Sequence, residues 1–339
     1  MPPVSAATLG GAPPAWLRGP SFDLALIVGV LALALVMGGL ACASPELFLS
    51  VLLVDLWLLA YPHVASTFTR IAFTREDVRR RWFLLFALPP LVLLGTATVA
   101  GVGGVMALSS LYFFWQSWHY TRQSYGIARA YHRRSGAPGR DRLGELVVYA
   151  FPLWGVLRRA HQDPGQFYGA PLWCPPVPAI AVQLAGALAA LALVAWALQH
   201  ARAPRRRGPG SLFIASHVLI TVISYRVFDD ITQGWLFINI WHNAQYLLFV
   251  WASNARRFAG AEPPQRFLAR LCQPEHALRY ALVCVGLSTA FYLALGQAIA
   301  LVTWAALPVL LVVHLSVNFH HYLVDAVIWR APRRARAHG

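Results

Sequence analysis

Lysine is absent from this 339-residue chain, so all 28 basic positions are arginine, and only 13 acidic residues stand against them. The missing lysine reads as a codon-usage trait. The scarcity of charge matters more: charged residues are 12% of the chain and hydrophobic ones 58%, with a mean hydropathy of +0.53. That balance excludes an ordinary soluble domain and points to a polytopic membrane protein. Cysteine is scarce too. Cys42, Cys174, Cys272 and Cys284 share no C-x-x-C spacing, which excludes a zinc knuckle, a thioredoxin motif and c-type haem attachment. No short apolar region with a cleavage site opens the chain, so the first span is expected to act as its own insertion signal. The formal charge of +15 falls in short clusters between apolar runs, as in membrane loops. No recognition motif accompanies it, so no nucleic acid is expected as a partner.

What is present is a series of apolar runs. Ten candidate spans lie near 22–42, 47–69, 82–100, 105–125, 144–157, 178–199, 210–226, 231–253, 278–296 and 299–329, against the ~20 apolar residues a crossing needs. The expected fold is an all-α bundle of about ten transmembrane helices, occupying 21–330 as one domain. Tails at 1–20 and 331–339 flank it. The fifth run is short and interrupted by Pro152, which suits a re-entrant or tilted segment. Arginine-rich connections at 70–81, 122–142, 202–207 and 256–279 alternate with connections of little excess charge. By the positive-inside rule both termini are then cytoplasmic and the location is a bacterial inner membrane. Arg158 and Arg159 alone disturb the alternation. The longest loop, 254–277, has the composition for a short interfacial helix.

The chemistry concentrates in imidazoles inside these runs. His63, His119, His217, His242, His314 and His321 fall between mid-membrane and the cytoplasmic face on the topology above, at ~1.5 Å of rise per residue. In the last run His314, Asn318, His321 and Asp325 are spaced to form one helical stripe. A membrane segment holds such groups only when they face a protein interior. Around His242, the spacing places Asn239, Gln245 and Tyr246 on its face; Gln116 and Gln123 flank His119 in the same way. Asp325, one turn from His321, is placed to orient its ring, and Asp55 needs a buried partner. Neutral imidazoles with few carboxylates suit iron, copper or zinc rather than magnesium or calcium. The candidate metal ligands are His63, His119, His242, His321 and His314, with Fe(II) the expected ion. Tyr246, Gln245 and Asp325 are the candidate catalytic side chains.

Three segments, AYPHVAST around Pro62–His63, QSWHY over Gln116–Tyr120 and WHNAQY from Trp241, resemble the Brp/Blh-type bacterial β-carotene dioxygenases. These are polytopic membrane enzymes that split β-carotene into two retinals using iron. The 56-residue separation of His63 from His119 is similar to the family's. The resemblance implies ligand roles for His63, His119 and His242. The family's Trp-His-x-x-x-His segment ends here in Tyr246, so a fourth ligand must come from elsewhere, with His321 or His314 the candidates. The expected function is O₂-dependent cleavage or hydroxylation of a carotenoid, another isoprenoid or a lipid, with the bilayer, an apolar substrate and O₂ as partners. Membrane desaturases need His boxes that this chain lacks. A b-type haem protein needs facing axial His; His132, among cytoplasmic arginines, does not supply one, but other cross-helix pairs keep it as an alternative. A transporter or scaffold with a polar interior is the non-enzymatic alternative.

Overall fold

The computed structural model describes residues 15–202, 208–260, 266–300 and 308–329. The tail residues 1–14 and 331–339, the basic stretch 203–207, and 301–307 within the expected tenth run lie outside the described residues. Among the described residues, seven helices are long and apolar enough to cross a membrane. In chain order with their neighbours, the helices are α1 Pro20–Ala41, α2 Pro45–Ile71, α3 Arg75–Arg80, α4 Phe83–Arg134 and α5 Arg142–Gln162. A two-stranded hairpin follows, β1 Gln166–Phe167 against β2 Ala170–Pro171. The chain continues with α6 Ala179–Ala201, α7 Gly208–Val227, α8 Ile231–Arg257, α9 Arg266–Leu271, α10 Ala277–Ala300 and α11 Val309–Ile328. The short α9 occupies the long basic loop, as its composition suggested.

Local chemistry explains the starts. Ser44, Thr74, Asp141 and Asp230 each accept a backbone N–H from the first turn of the helix that follows, at 2.8–3.2 Å. Pro152 does not interrupt α5, which runs continuously through all 21 of its residues; the expectation of a short segment broken at Pro152 is corrected. Neighbouring helices supply the packing that lets a membrane helix carry an internal proline.

α4 is not one straight rod. Gly104 adopts φ 67°, ψ −165°, a conformation open to glycine, and breaks the helix there. The consequence is visible on α11. The Leu84 carbonyl meets the His320 ring while Trp115 stacks on the adjacent Phe319. A continuous helix would separate Leu84 from Trp115 by about 46 Å, so the chain turns back at Gly104 and α11 packs against both limbs.

α8 is the axis of the bundle. Every residue from Gly234 to Tyr246 is buried, and Trp235 and Trp241 are among the largest enclosed side chains. Glycines permit the closest approaches. A Cβ on Gly38 of α1 would lie 2.4 Å from the Phe237 ring, and one on Gly234 would lie 2.2 Å from the Ser224 carbonyl. A helix enclosed on all sides and carrying Asn239, His242, Asn243, Gln245 and Tyr246 must satisfy those groups internally. The helices around it do so for Asn239, Asn243 and Tyr246.

Candidate metal centre

Three helices besides α8 each bring one imidazole to its centre. In α2, Pro62 lacks an N–H and its ring crowds the preceding turn, and the helix widens into a π turn over Leu56–Ala60. A π turn takes up one extra residue, so the path from Asp55 to His63 amounts to about seven regular steps, close to two turns. Both side chains consequently face α8. His119 arrives from the second limb of α4 and His321 from α11.

The ring nitrogens converge. His63 Nε2 lies 2.7 Å from His321 Nε2, which lies 3.2 Å from His119 Nε2. Nitrogens of His63, His119 and His242 fall within 4.8 Å of one another, as do ligand atoms of His119, His321 and Asp325. All five residues are buried. Imidazoles bound at about 2.0–2.1 Å would have nitrogens about 2.9 Å apart at right angles and about 3.4 Å apart at tetrahedral angles. The observed 2.7 and 3.2 Å bracket the lower figure. The donors form two triads that share His119, and their imidazole-rich chemistry suits a first-row transition metal.

A hydrogen-bond chain sets the tautomer of one ring. Tyr246 Oη donates to Asp325 Oδ1 at 2.5 Å. Thr67 Oγ1 lies 2.9 Å from Tyr246 Oη and 2.9 Å from His321 Nδ1. With the Tyr246 proton committed to the carboxylate, Thr67 can donate to Tyr246 and accept from His321 Nδ1–H. That polarity leaves His321 Nε2 as a bare lone pair aimed at the other imidazoles, the form a metal ligand needs. Aromatic rings brace the cluster: Tyr246 stacks on His63 with centroids 4.1 Å apart, and Tyr322 on His119 at 4.2 Å. His242 Nδ1 is buried with no hydrogen-bond partner among the described residues.

A polar layer supports the cluster from one side. Asp55 accepts from Asn239 Nδ2 at 2.5 Å and from Asn243 Nδ2 at 3.3 Å. Asn239 Oδ1 in turn accepts from Tyr120 and, at 3.4 Å, from Gln116. Gln123 donates to the His242 carbonyl at 3.1 Å. A small cavity of about 40 Å³ opens beside His63, His242 and His321, with Tyr61, Gln116, Asn318 and Tyr322 on its wall. The Tyr322 hydroxyl and Gln116 Oε1 are buried without a partner among the described residues.

Other candidate residues stand elsewhere. Gln245 turns its amide to the Leu26 carbonyl on α1 at 3.5 Å and does not line the cavity beside His242. The carboxylate of Asp325 is engaged by Tyr246, with Oδ2 3.9 Å from His321 Nε2, so it does not orient that ring directly as expected. His314 lines the cavity two turns from His321, its ring against Tyr61 and Tyr292. His217 is taken by the Val148 carbonyl at 3.1 Å and His320 by that of Leu84 at 2.7 Å, both packing roles. Thr67, Asn243 and Tyr120 were missed. Thr67 was within reach, because it follows His63 by one helical turn; the other two depend on which helix faces α8.

No protein-family model, curated protein or solved structure matches the chain.

Proposed function

We propose that the protein is a membrane-embedded, His-ligated metal oxygenase acting on an isoprenoid or other lipid. The observation that carries this reading is the gathering of four imidazoles from four separate helices into one buried cluster of two triads that share His119. Burying that many imidazoles among apolar helices is costly unless a ligand repays it. Iron bound there would supply O₂ activation. His63, His119, His242 and His321 would hold it, Asp325 standing within reach as a fifth donor. Thr67 and Tyr246 would keep His321 in the ligating tautomer, and the surrounding apolar helices would exclude water.

The lipid class follows from the cavity. Tyr322, Gln116, Asn318 and Asn239 on its wall favour a substrate with a hydrogen-bonding group beside the reacting bond. A bare hydrocarbon would leave the Tyr322 hydroxyl and Gln116 Oε1 unpaired. The resemblance to carotene dioxygenases bears on the reaction type through His63, His119 and His242. A haem reading is disfavoured, since His63 and His321 at 2.7 Å leave no space for a porphyrin between them.

Ten spans accommodate the same helices. The break at Gly104 divides α4 into two crossings, and α5 and α8, at 21 and 27 residues, are long enough to cross. Both termini would then face the cytoplasm of a bacterial inner membrane. In a cysteine-free background, Ala137→Cys and Gln166→Cys should label from opposite sides of the membrane; labelling from one side removes α5 as a crossing.

Metal analysis of the purified protein tests the function. Stoichiometric iron, lost in His63→Ala and His242→Ala, is the expected result. Folded, metal-free wild-type protein refutes the reading and leaves a transporter or scaffold. Expression in a β-carotene-producing host tests the substrate: a host that keeps its orange colour rejects carotene cleavage.

A further inference from the structure

Arg158 and Arg159 sit at the end of α5, where the alternation of loop charge predicts no basic residues. The structure separates their roles. Arg159 is buried and spent: it donates to Gln162 Oε1 and to the carbonyls of Ser224, Phe228 and Asp229 at 2.7–2.9 Å. Arg158 has no comparable set: the Nε of each arginine is buried without a partner, but among the described residues Arg158 meets one carboxylate alone, Asp229, 3.7 Å away with a side chain 92% exposed.

Arg158 lines an open cavity of about 370 Å³, bounded also by Arg226, His161, Trp154, Gln183 and Gly186. Arg226 is exposed and has no hydrogen bond or carboxylate partner among the described residues. His161 bonds through Nδ1 to the Val177 carbonyl, which fixes its ring at the rim. Ala179, the first residue of α6, adds the N-terminal end of an uncapped 23-residue helix. Two guanidiniums, a fixed imidazole and a helix N-terminus thus line one cavity, and no carboxylate among the described residues lines it. Below them, Trp154, Val182, Gly186 and Ala187 form an apolar floor along the α5–α6 seam.

We propose that this cavity seats an anionic phospholipid, with its phosphate between Arg158 and Arg226 and an acyl chain along the floor. Charge complementarity selects the head, since guanidinium pairs match phosphate geometry. The apolar floor continues the site into the membrane, which a free anion would not use. This seat is separate from the His cluster and does not depend on the function proposed for it.

The test follows the melting temperature of detergent-purified full-length protein during titration with phosphatidylglycerol, phosphatidylcholine or inorganic phosphate. Phosphatidylglycerol should stabilise the wild type at the lowest concentration. Its apparent affinity should fall roughly fivefold in Arg226→Gln and roughly 25-fold in Arg158→Gln/Arg226→Gln, as expected of contributions of similar size from each arginine. Arg226 is exposed, so its single variant keeps a folded reference if the double variant does not fold. Equal affinities for phosphatidylglycerol and phosphatidylcholine overturn the proposal, as does an unchanged affinity in Arg226→Gln. Inorganic phosphate alone reproducing the full stabilisation overturns it too, because the site would then serve a free anion.

Discussion

Replacing His321 with alanine separates a metal ligand from a packing residue. The side chain is buried, its Nε2 lies 2.7 and 3.2 Å from two other ring nitrogens, and its Nδ1 is held by Thr67. Loss of a residue that only orients a ligand weakens metal binding about 10–100-fold, so loss of a direct ligand should reach about 100-fold or more. That is about 2.7 kcal/mol of binding free energy. At a metal concentration about 1,000 times the wild-type Kd, the bound ion stabilises the fold by about 4 kcal/mol; a 100-fold weaker site retains about 1.4. The assay is paired: metal content by mass spectrometry, and melting temperature with and without a chelator. His321→Ala should bind its metal about 100-fold more weakly and lose most of the chelator-induced drop. Packing alone predicts the opposite pattern, a lower melting temperature with metal content and chelator response unchanged. That outcome refutes the role of α11 in the site. His314→Ala is the internal comparison, because His314 lies about 10 Å along the helix from His321 and should leave both readings intact.

Three other substitutions probe the supporting structure. Tyr246→Phe removes the hydroxyl that links Asp325 to Thr67, so metal affinity should weaken about 10–100-fold by direct titration while the fold survives; unchanged affinity would deny the tautomer chain. Asp55→Leu strands the Asn239 and Asn243 amides and should cost about 2–4 kcal/mol of stability in a denaturation series. A variant as stable as wild type would show that water replaces the carboxylate. Arg159→Met leaves four acceptors without their donor and should cost on the order of 4 kcal/mol, seen as poor recovery of folded protein. Undiminished recovery would mean those carbonyls find other partners.

Several features of the site were legible because they depend on periodicity alone. The Pro62–His63 pair, the stripe from His314 to Asp325, and the shared depth of His63, His119, His242 and His321 follow from helical rise and the position of the arginine loops. Gln245 shows where that logic stops. Spacing put it beside Tyr246, but α8 is enclosed on every side, so no lipid-facing stripe marks which way any residue points. Its neighbour across the interface, Leu26 on α1, decided the matter. Asp325 is a second case. Its helical neighbour His321 looked like its partner, yet Tyr246 on α8 reaches it first.

The sequence by itself determined that the chain is a bundle of apolar helices and that imidazoles lie in one slab of it, because hydropathy and rise per residue are local properties. It also marked Arg158 and Arg159 as exceptions to the charge pattern. Only the tertiary structure decided which histidines share a point, that Asp55 pairs with Asn239 and Asn243, and that the two arginines have different roles. Those outcomes depend on which helix faces which. Helix pairing rests on side-chain fit, such as Phe237 against Gly38, between residues far apart in the chain, and no local pattern encodes it.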